Sequence, residues 1–296
     1  MQVLALFGPT GVGKTDVAVA VADMLRERGE DPVAVSCDAL QVYRGLEVLT
    51  GAASQDERER LEHRMQRVAH PTDEFSAGRF AELARREIDE LLAAGRRPIV
   101  VGGTGLYLRA ALADLELRPP VPPEIREGVE RELEQRGPEA LHTELEPEVA
   151  AGVHPNDRKR IVRALELQRA GLDPPPADGG ELWTAKLRHP TLLVGLTVDR
   201  EELAQRIDGR VDAMVAAGAE DEVRRALAAG VSRTARAAIG FQELLSGDVE
   251  AMKRAQLAYS KRQLTWMRKM RDVRMIDRTG RSDDEVAREV VAQLDA

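Results

Sequence analysis

Short apolar runs alternate with helix-period patterns along the first hundred residues. Residues 3–7, 33–37 and 99–101 are apolar almost without interruption, the pattern of strands covered on both faces. Between them, residues 16–28 set Val17, Val21 and Leu25 on one helical face, and residues 76–94 form a second helix with Ser76 as candidate N-cap. Strands alternating with helices need crossover connections, so this stretch predicts a parallel sheet and an α/β class. A boundary follows at Arg118-Pro119-Pro120-Val121-Pro122-Pro123, which cannot continue a helix. Charged helical patterns at 124–136, 138–145 and 155–170 come next with no strand among them, and a proline- and glycine-rich stretch at 173–180 closes them. The sheet resumes at 192–198. Helices are predicted at 200–217, 220–229 and 249–271, then a short strand at 273–276 and a last helix from Asp283. The expected organisation is a core of residues 1–115 and 191–296 carrying an all-helical insertion, 116–190.

The loop after the first strand changes the picture. Gly8, Pro9, Thr10, Gly11, Val12, Gly13, Lys14 and Thr15 complete the phosphate-binding pattern G-x-x-x-x-G-K-[ST], placed between a strand and a helix as its physics requires. Backbone N–H groups of the turn and the helix N-terminus can surround a polyphosphate, Lys14 adds a point charge, and Thr15 offers a hydroxyl to magnesium. Motor ATPases and GTPases usually place an aspartate after a later strand, but residues 99–101 run into Gly102-Gly103-Thr104-Gly105. The acid follows the second strand instead, at Asp38. Parallel strands emerge on one sheet edge, so Asp38 and Thr104 are expected beside the phosphate loop. There Asp38 can serve as a magnesium ligand, as a base toward an acceptor, or as the cap of the next turn.

Composition excludes several classes. One cysteine, Cys37, rules out an intramolecular disulfide and a cysteine-based zinc site and fits a reducing compartment. No leader-like or membrane-spanning apolar stretch is evident, so a cytoplasmic monomer that does not enter a membrane is expected. A net charge of −8 argues against indiscriminate nucleic-acid coating. Two local basic stretches remain: Arg158, Lys159, Arg160 and Arg163 in the insertion, and Lys253, Arg254, Lys261, Arg262, Arg268, Lys269 and Arg271 on the late helix.

Taken together, several blocks resemble the tRNA dimethylallyltransferases. They are residues 8–15, Asp38-Ala39-Leu40-Gln41-Val42-Tyr43, Gly102-Gly103-Thr104-Gly105-Leu106-Tyr107 and the run from His154 to Glu166. Asp221-Glu222-Val223, Ala238-Ile239-Gly240-Phe241 and the run from Tyr259 to Trp266 complete the set, in order across nearly the whole chain. The chain departs from the family's usual sequence at 49–52, at 62–64 and just before Ile239. The resemblance implies a P-loop, nucleotide-kinase-like parallel core with a helical insertion that binds tRNA. It implies transfer of a dimethylallyl group from dimethylallyl diphosphate to N6 of the adenosine 3′ to the anticodon, assisted by Mg²⁺. It casts Asp38 as general base, Thr104 as neighbour of the reacting adenine, and Lys14, Thr15, Arg206 and Arg210 as diphosphate ligands, with Thr15 on the metal. It places tRNA contacts at Asp38, Ala39, Leu40, Gln41, Thr104, Arg126, Lys159, Arg160, Ile161, Val162 and Arg163. Two other readings stay open: prenyl transfer to free AMP or ADP, and phosphoryl transfer by a small-molecule kinase.

Overall fold

The computed structural model describes residues 1–115, 117–174 and 186–294. The chain runs through β1 (Val3–Phe7), α1 (Lys14–Glu27), β2 (Pro32–Cys37), α2 (Glu47–Thr50), α3 (Gln55–Arg60), β3 (His63–Arg64), α4 (Ala77–Ala93), β4 (Arg97–Gly102) and α5 (Gly105–Leu112). Three helices follow, α6 (Pro123–His142), α7 (Pro147–Gly152) and α8 (Arg158–Arg169). The last part comprises β5 (Thr191–Thr197), α9 (Arg200–Ala216), α10 (Ala219–Ala228), α11 (Arg233–Arg236), α12 (Phe241–Leu245), α13 (Val249–Lys269), β6 (Arg274–Asp277) and α14 (Asp283–Leu294). Among the described residues no helix is long and apolar enough to cross a membrane.

Six strands form one sheet in the order β3-β2-β4-β1-β5-β6, with every pairing parallel. All of β1 and β2 is buried, which is why neither shows polar alternation. Leu4, Leu6, Val194 and Leu196 of the sheet pack with Val17, Val21 and Leu25 of α1 and with Val286 and Val290 of α14. Each such side chain contributes about 1.5–3 kcal/mol of apolar burial, so this layer anchors the loop that precedes α1. Ser76 caps α4 as expected, its hydroxyl accepting the Arg79 N–H at 3.2 Å.

The chain divides into two compact units, Met1–Asp114 with Ala185–Ala296, and Leu115–Thr184. Residues 186–190, expected in the insertion, belong to the sheet unit. Arg188 donates its backbone N–H to Leu112 O at 2.9 Å, and the Arg188 and His189 side chains both pair with Asp89 at 2.7 Å. The smaller unit has its own core of Val129, Leu133, Leu141, Leu145, Ile161 and Leu165. The helical patterns at 124–136 and 138–145 join as α6 across a break at Gly137, whose φ of 78° and ψ of 167° leave the helical region before Pro138 restarts it. From Pro175 the second proline-rich stretch lies outside the described residues.

Candidate active site

Register aligns the functional loops. Phe7, Gly102 and Cys37, the last residues of β1, β4 and β2, stand level in the ladder. The next residues along each strand are therefore Gly8, Gly103 and Asp38, launched from one edge. Neighbouring strands lie about 4.8 Å apart, so with β4 between them the phosphate loop and Asp38 start about 10 Å apart. That gap suits a small substrate lying across the ends of the sheet.

The phosphate loop turns through two left-handed glycines, Gly11 (φ 79°) and Gly13 (φ 80°). Gly13 is the N-cap of α1 and supplies no side chain to bond the first-turn N–H groups, which leaves them to an anion. A Cβ at Gly13 would also collide with the Arg278 guanidinium. Arg278 is only 3% exposed and reaches under the loop, donating to Val12 O at 2.7 Å and Gly13 O at 3.3 Å while pairing with Asp283 at 2.9 Å. It thus fixes two carbonyls of the turn.

Two cations line the crevice. Lys14 donates to Gly8 O at 3.0 Å and Pro9 O at 2.9 Å. Enclosure by protein, then repulsion from Arg210, brings its pKa down to about 7 despite the opposing pull of Asp38. Arg210, from α9, is likewise held below its ordinary value by enclosure, against the attraction of Asp38, Glu57 and Asp16. Its Nε is buried and has no hydrogen-bond partner. Gly51 makes room for this guanidinium, since a Cβ there would run into it. Two enclosed like charges, one with an unsatisfied donor, are a candidate anchor for an anionic group. Arg206, one turn earlier, donates instead to Glu202 on its own helix at 2.8 Å.

Asp38 Oδ1 accepts the Leu40 N–H at 2.9 Å, so the carboxylate caps the following turn. That bond anchors one oxygen while the carboxylate still acts on the charges of Lys14 and Arg210, so capping and chemistry are compatible roles. Thr104 opens α5, and its hydroxyl lies 2.8 Å from the Tyr259 hydroxyl of α13. Burial, followed by repulsion from Asp38, pushes the Tyr259 phenol up to about 12. Tyr107 is also pushed up to about 12, chiefly by burial. Both phenols stay protonated near neutrality.

The residues expected to read tRNA separate into distinct environments. Ala39 and Leu40 are half-buried in the turn after Asp38. Gln41 is engaged internally, donating to Gly51 O at 2.9 Å and accepting from Ser36 Oγ at 2.8 Å and Gln66 Nε2 at 3.1 Å. In the smaller unit, Ile161 is 0% exposed and belongs to the core, and Val162 packs beside it. The Ile161 side chain is thus taken up by the core, because an amphipathic α8 must bury one face and position 161 falls on it, which leaves only its backbone for the expected tRNA contact. Arg126 forks onto Glu166 at 2.8 and 3.2 Å, and Arg163 joins the same carboxylate at 3.1 Å. Burial alone would raise Glu166, but the hydrogen bonds from both arginines hold it below the ordinary range. Lys159 and Arg160 are exposed on the first turn of α8.

Tyr259, Gln263 and Trp266 were legible as a motif but had no role assigned. Their spacing of four and three puts them on one face of α13. There Gln263 Oε1 accepts the Thr10 N–H at 2.7 Å, and the Trp266 ring packs where a Cβ of Gly105 would stand.

A parallel sheet with this loop, and with Lys14 and Arg210 enclosed within electrostatic reach of Asp38, defines a P-loop protein. Residues 41–270 match the family described as IPP transferase, and residues 1–74 match the description isopentenyl transferase. The chain is 36% identical to the tRNA dimethylallyltransferase of Acetivibrio thermocellus, over 96% of this chain and 94% of that protein. It is 41% identical to the one from Anaeromyxobacter dehalogenans, over 92% and 94%. The structure of the full-length tRNA isopentenylpyrophosphate transferase from Bacillus halodurans aligns with TM-score 0.71 at 31% identity, covering 99% of this chain and 95% of the other. A eukaryotic dimethylallyltransferase acting on tRNA aligns with TM-score 0.78 at 25% identity, covering 98% and 78%. The chain belongs to the IPP transferase family.

Proposed function

We propose that this protein transfers a dimethylallyl group from dimethylallyl diphosphate to the exocyclic N6 of an adenosine in tRNA, the one 3′ to the anticodon. The observation behind this reading is that Lys14 and Arg210, whose Nε has no partner, are enclosed together within electrostatic reach of Asp38 beside the phosphate loop. The first-turn N–H groups of α1, Lys14 and Arg210 hold the diphosphate. The adenine nitrogen attacks the first carbon of the allyl chain, the carbon–oxygen bond breaks, and diphosphate leaves with the electron pair. The N6 proton passes to the unanchored oxygen of Asp38, which helps because the amine lone pair is delocalised into the ring.

Among the described residues no group of three His, Cys, Asp or Glu side chains gathers to hold a metal. A magnesium ion here would rest on the Thr15 hydroxyl and the oxygens of the diphosphate itself, in keeping with an ion that retains several waters. When bound, it neutralises charge on the leaving group. The exposed Lys159 and Arg160 would supply tRNA phosphate contacts.

The test is incubation with labelled dimethylallyl diphosphate and either an anticodon stem-loop or AMP, followed by nucleoside analysis. Prenylated adenosine in the stem-loop supports the proposal. Label on AMP alone would assign an adenylate prenyltransferase, and ATP-dependent phosphorylation of a small molecule without prenyl transfer would assign a kinase.

A further inference from the structure

The block Asp221-Glu222-Val223 lies on α10, and no step of the transfer uses it. Glu222 is nonetheless only 6% exposed, and both its oxygens are spent on α2. Oε1 accepts the Val48 N–H at 3.0 Å and Oε2 the Leu49 N–H at 2.9 Å. Four residues are too few to hold a helix by themselves, and the N-cap of α2, Leu46, offers no side-chain acceptor. A carboxylate at that first turn satisfies two N–H groups at once and complements the helix dipole. The other end of α2 is Gly51, where several parts of the site meet. Gly51 O accepts Gln41 Nε2 at 2.9 Å, which ties it to the turn after Asp38. Its α carbon faces Arg210, whose guanidinium a Cβ would strike. Arg210 belongs to α9, and Ile207 of the same helix packs on the phosphate loop at Gly11, where a Cβ would meet its Cγ1 at 2.9 Å. Thus α9 is seated on two left-handed glycines, Gly11 (φ 79°) in the phosphate loop and Gly51 (φ 58°) at the end of α2. Nε of Arg210 has no hydrogen-bond partner, so the packing at Gly51 helps to set where the guanidinium lies.

We propose that Glu222 is a positioning residue for the diphosphate site: by holding α2 at its N-terminus, it keeps Gly51 where the Arg210 guanidinium is seated. This rests on the diphosphate-binding part of the transferase reading and deepens it. Glu222 acts only through α2. Its two hydrogen bonds set where α2 lies, α2 sets the α carbon of Gly51, and that atom bounds the space of Arg210. The link accounts for a carboxylate buried so far from the chemistry. A carboxamide in its place has one acceptor oxygen and would leave one of the two N–H groups facing a donor.

The decisive variant is therefore Glu222→Gln, which keeps shape and one acceptor. Calorimetric binding of inorganic diphosphate, with this change made in the unaltered protein and in an Arg210→Ala background, reads the link directly. The Kd should rise about fivefold or more in the first case and less than about twofold in the second, because both residues act on one contact. A merely structural Glu222 would lower the melting temperature and leave the Kd unchanged, or raise it by the same factor in both backgrounds. Either result would overturn the proposal. Should Glu222→Gln fail to fold, Glu222→Asp withdraws the carboxylate by one methylene with its charge intact and should give the same pattern. Gly51→Ala fills the seat from the other side and should weaken diphosphate binding at least as much, and unchanged affinity there would also overturn the proposal. Failure of the unaltered protein to bind diphosphate would overturn it together with the reading on which it rests. The expected pattern without prenyl transfer to the stem-loop would support the link and refute the transfer reading alone.

Discussion

Affinity for dimethylallyl diphosphate should fall steeply as pH rises above neutrality, because the Lys14 ammonium is deprotonated in the ligand-free site. Its pKa of about 7 reflects enclosure and the neighbouring Arg210 charge. At pH 7 about half the molecules carry the proton, and at pH 9 about one in a hundred. A lysine–phosphate pair at about 4 Å and an effective permittivity near 20 is worth about 4 kcal/mol, so the neutral form binds far more weakly. Over that interval the apparent affinity should therefore drop about fifty-fold, with close to one proton taken up per diphosphate bound near pH 8.5. Calorimetric titration without RNA, in two buffers of different ionisation heat, measures both quantities. Lys14→Arg keeps the charge and should flatten the profile, separating the lysine from any ionisation of the diphosphate. The linkage has an opposite face in stability. Since the folded ligand-free pKa lies below the unfolded one, the unfolded chain binds more protons between about pH 7 and 10.5, and this group makes folding more favourable as pH rises through that window. A flat affinity profile with no proton uptake would refute the argument.

Four further outcomes are expected. Asp38→Asn preserves an oxygen for the Leu40 N–H but removes the base, so turnover should fall about 10²–10⁴-fold while calorimetric affinity for the diphosphate stays within about threefold; equal losses in both would make Asp38 a ligand or structural group. Gly13→Ala places a methyl against Arg278 at a left-handed position, which should lower thermal stability by about 1–3 kcal/mol and abolish diphosphate binding, and unchanged binding would show that the loop can be built otherwise. Reversing Lys159 and Arg160 to glutamate should weaken tRNA binding and reduce its salt slope by about 2 with unaltered melting, whereas Arg126→Ala should destabilise the smaller unit by about 1–3 kcal/mol through Glu166. Filter binding over a salt series and thermal denaturation distinguish the two.

Local chemistry was readable along the chain. Uniformly apolar runs announced strands covered on both faces, and the order glycine-rich turn, lysine, threonine announced an anion cradle, since these depend on neighbours in sequence. The two-residue β3 and the short helices α2, α3, α7, α11 and α12 carried no such signal. Segments of two to six residues are too short for a period to develop, and their hydrogen bonds close on distant partners, as when the Val48 and Leu49 N–H groups of α2 bind Glu222.

Sequence by itself determined which residue types could do chemistry and, through strand–helix alternation, that Asp38, Thr104 and the phosphate loop would share an edge. Only the tertiary structure decided what each charge is for. Arg163 and Arg126 look like Lys159 in a one-dimensional charge map, yet they serve the buried Glu166, and Arg206 serves Glu202 while Arg210, one turn away, stays unsatisfied in the crevice. Burial and pairing are properties of the space around a side chain, and that space is filled by residues far away in sequence. The same reason hid Gln263 and Arg278, which touch the phosphate loop from more than 250 residues downstream.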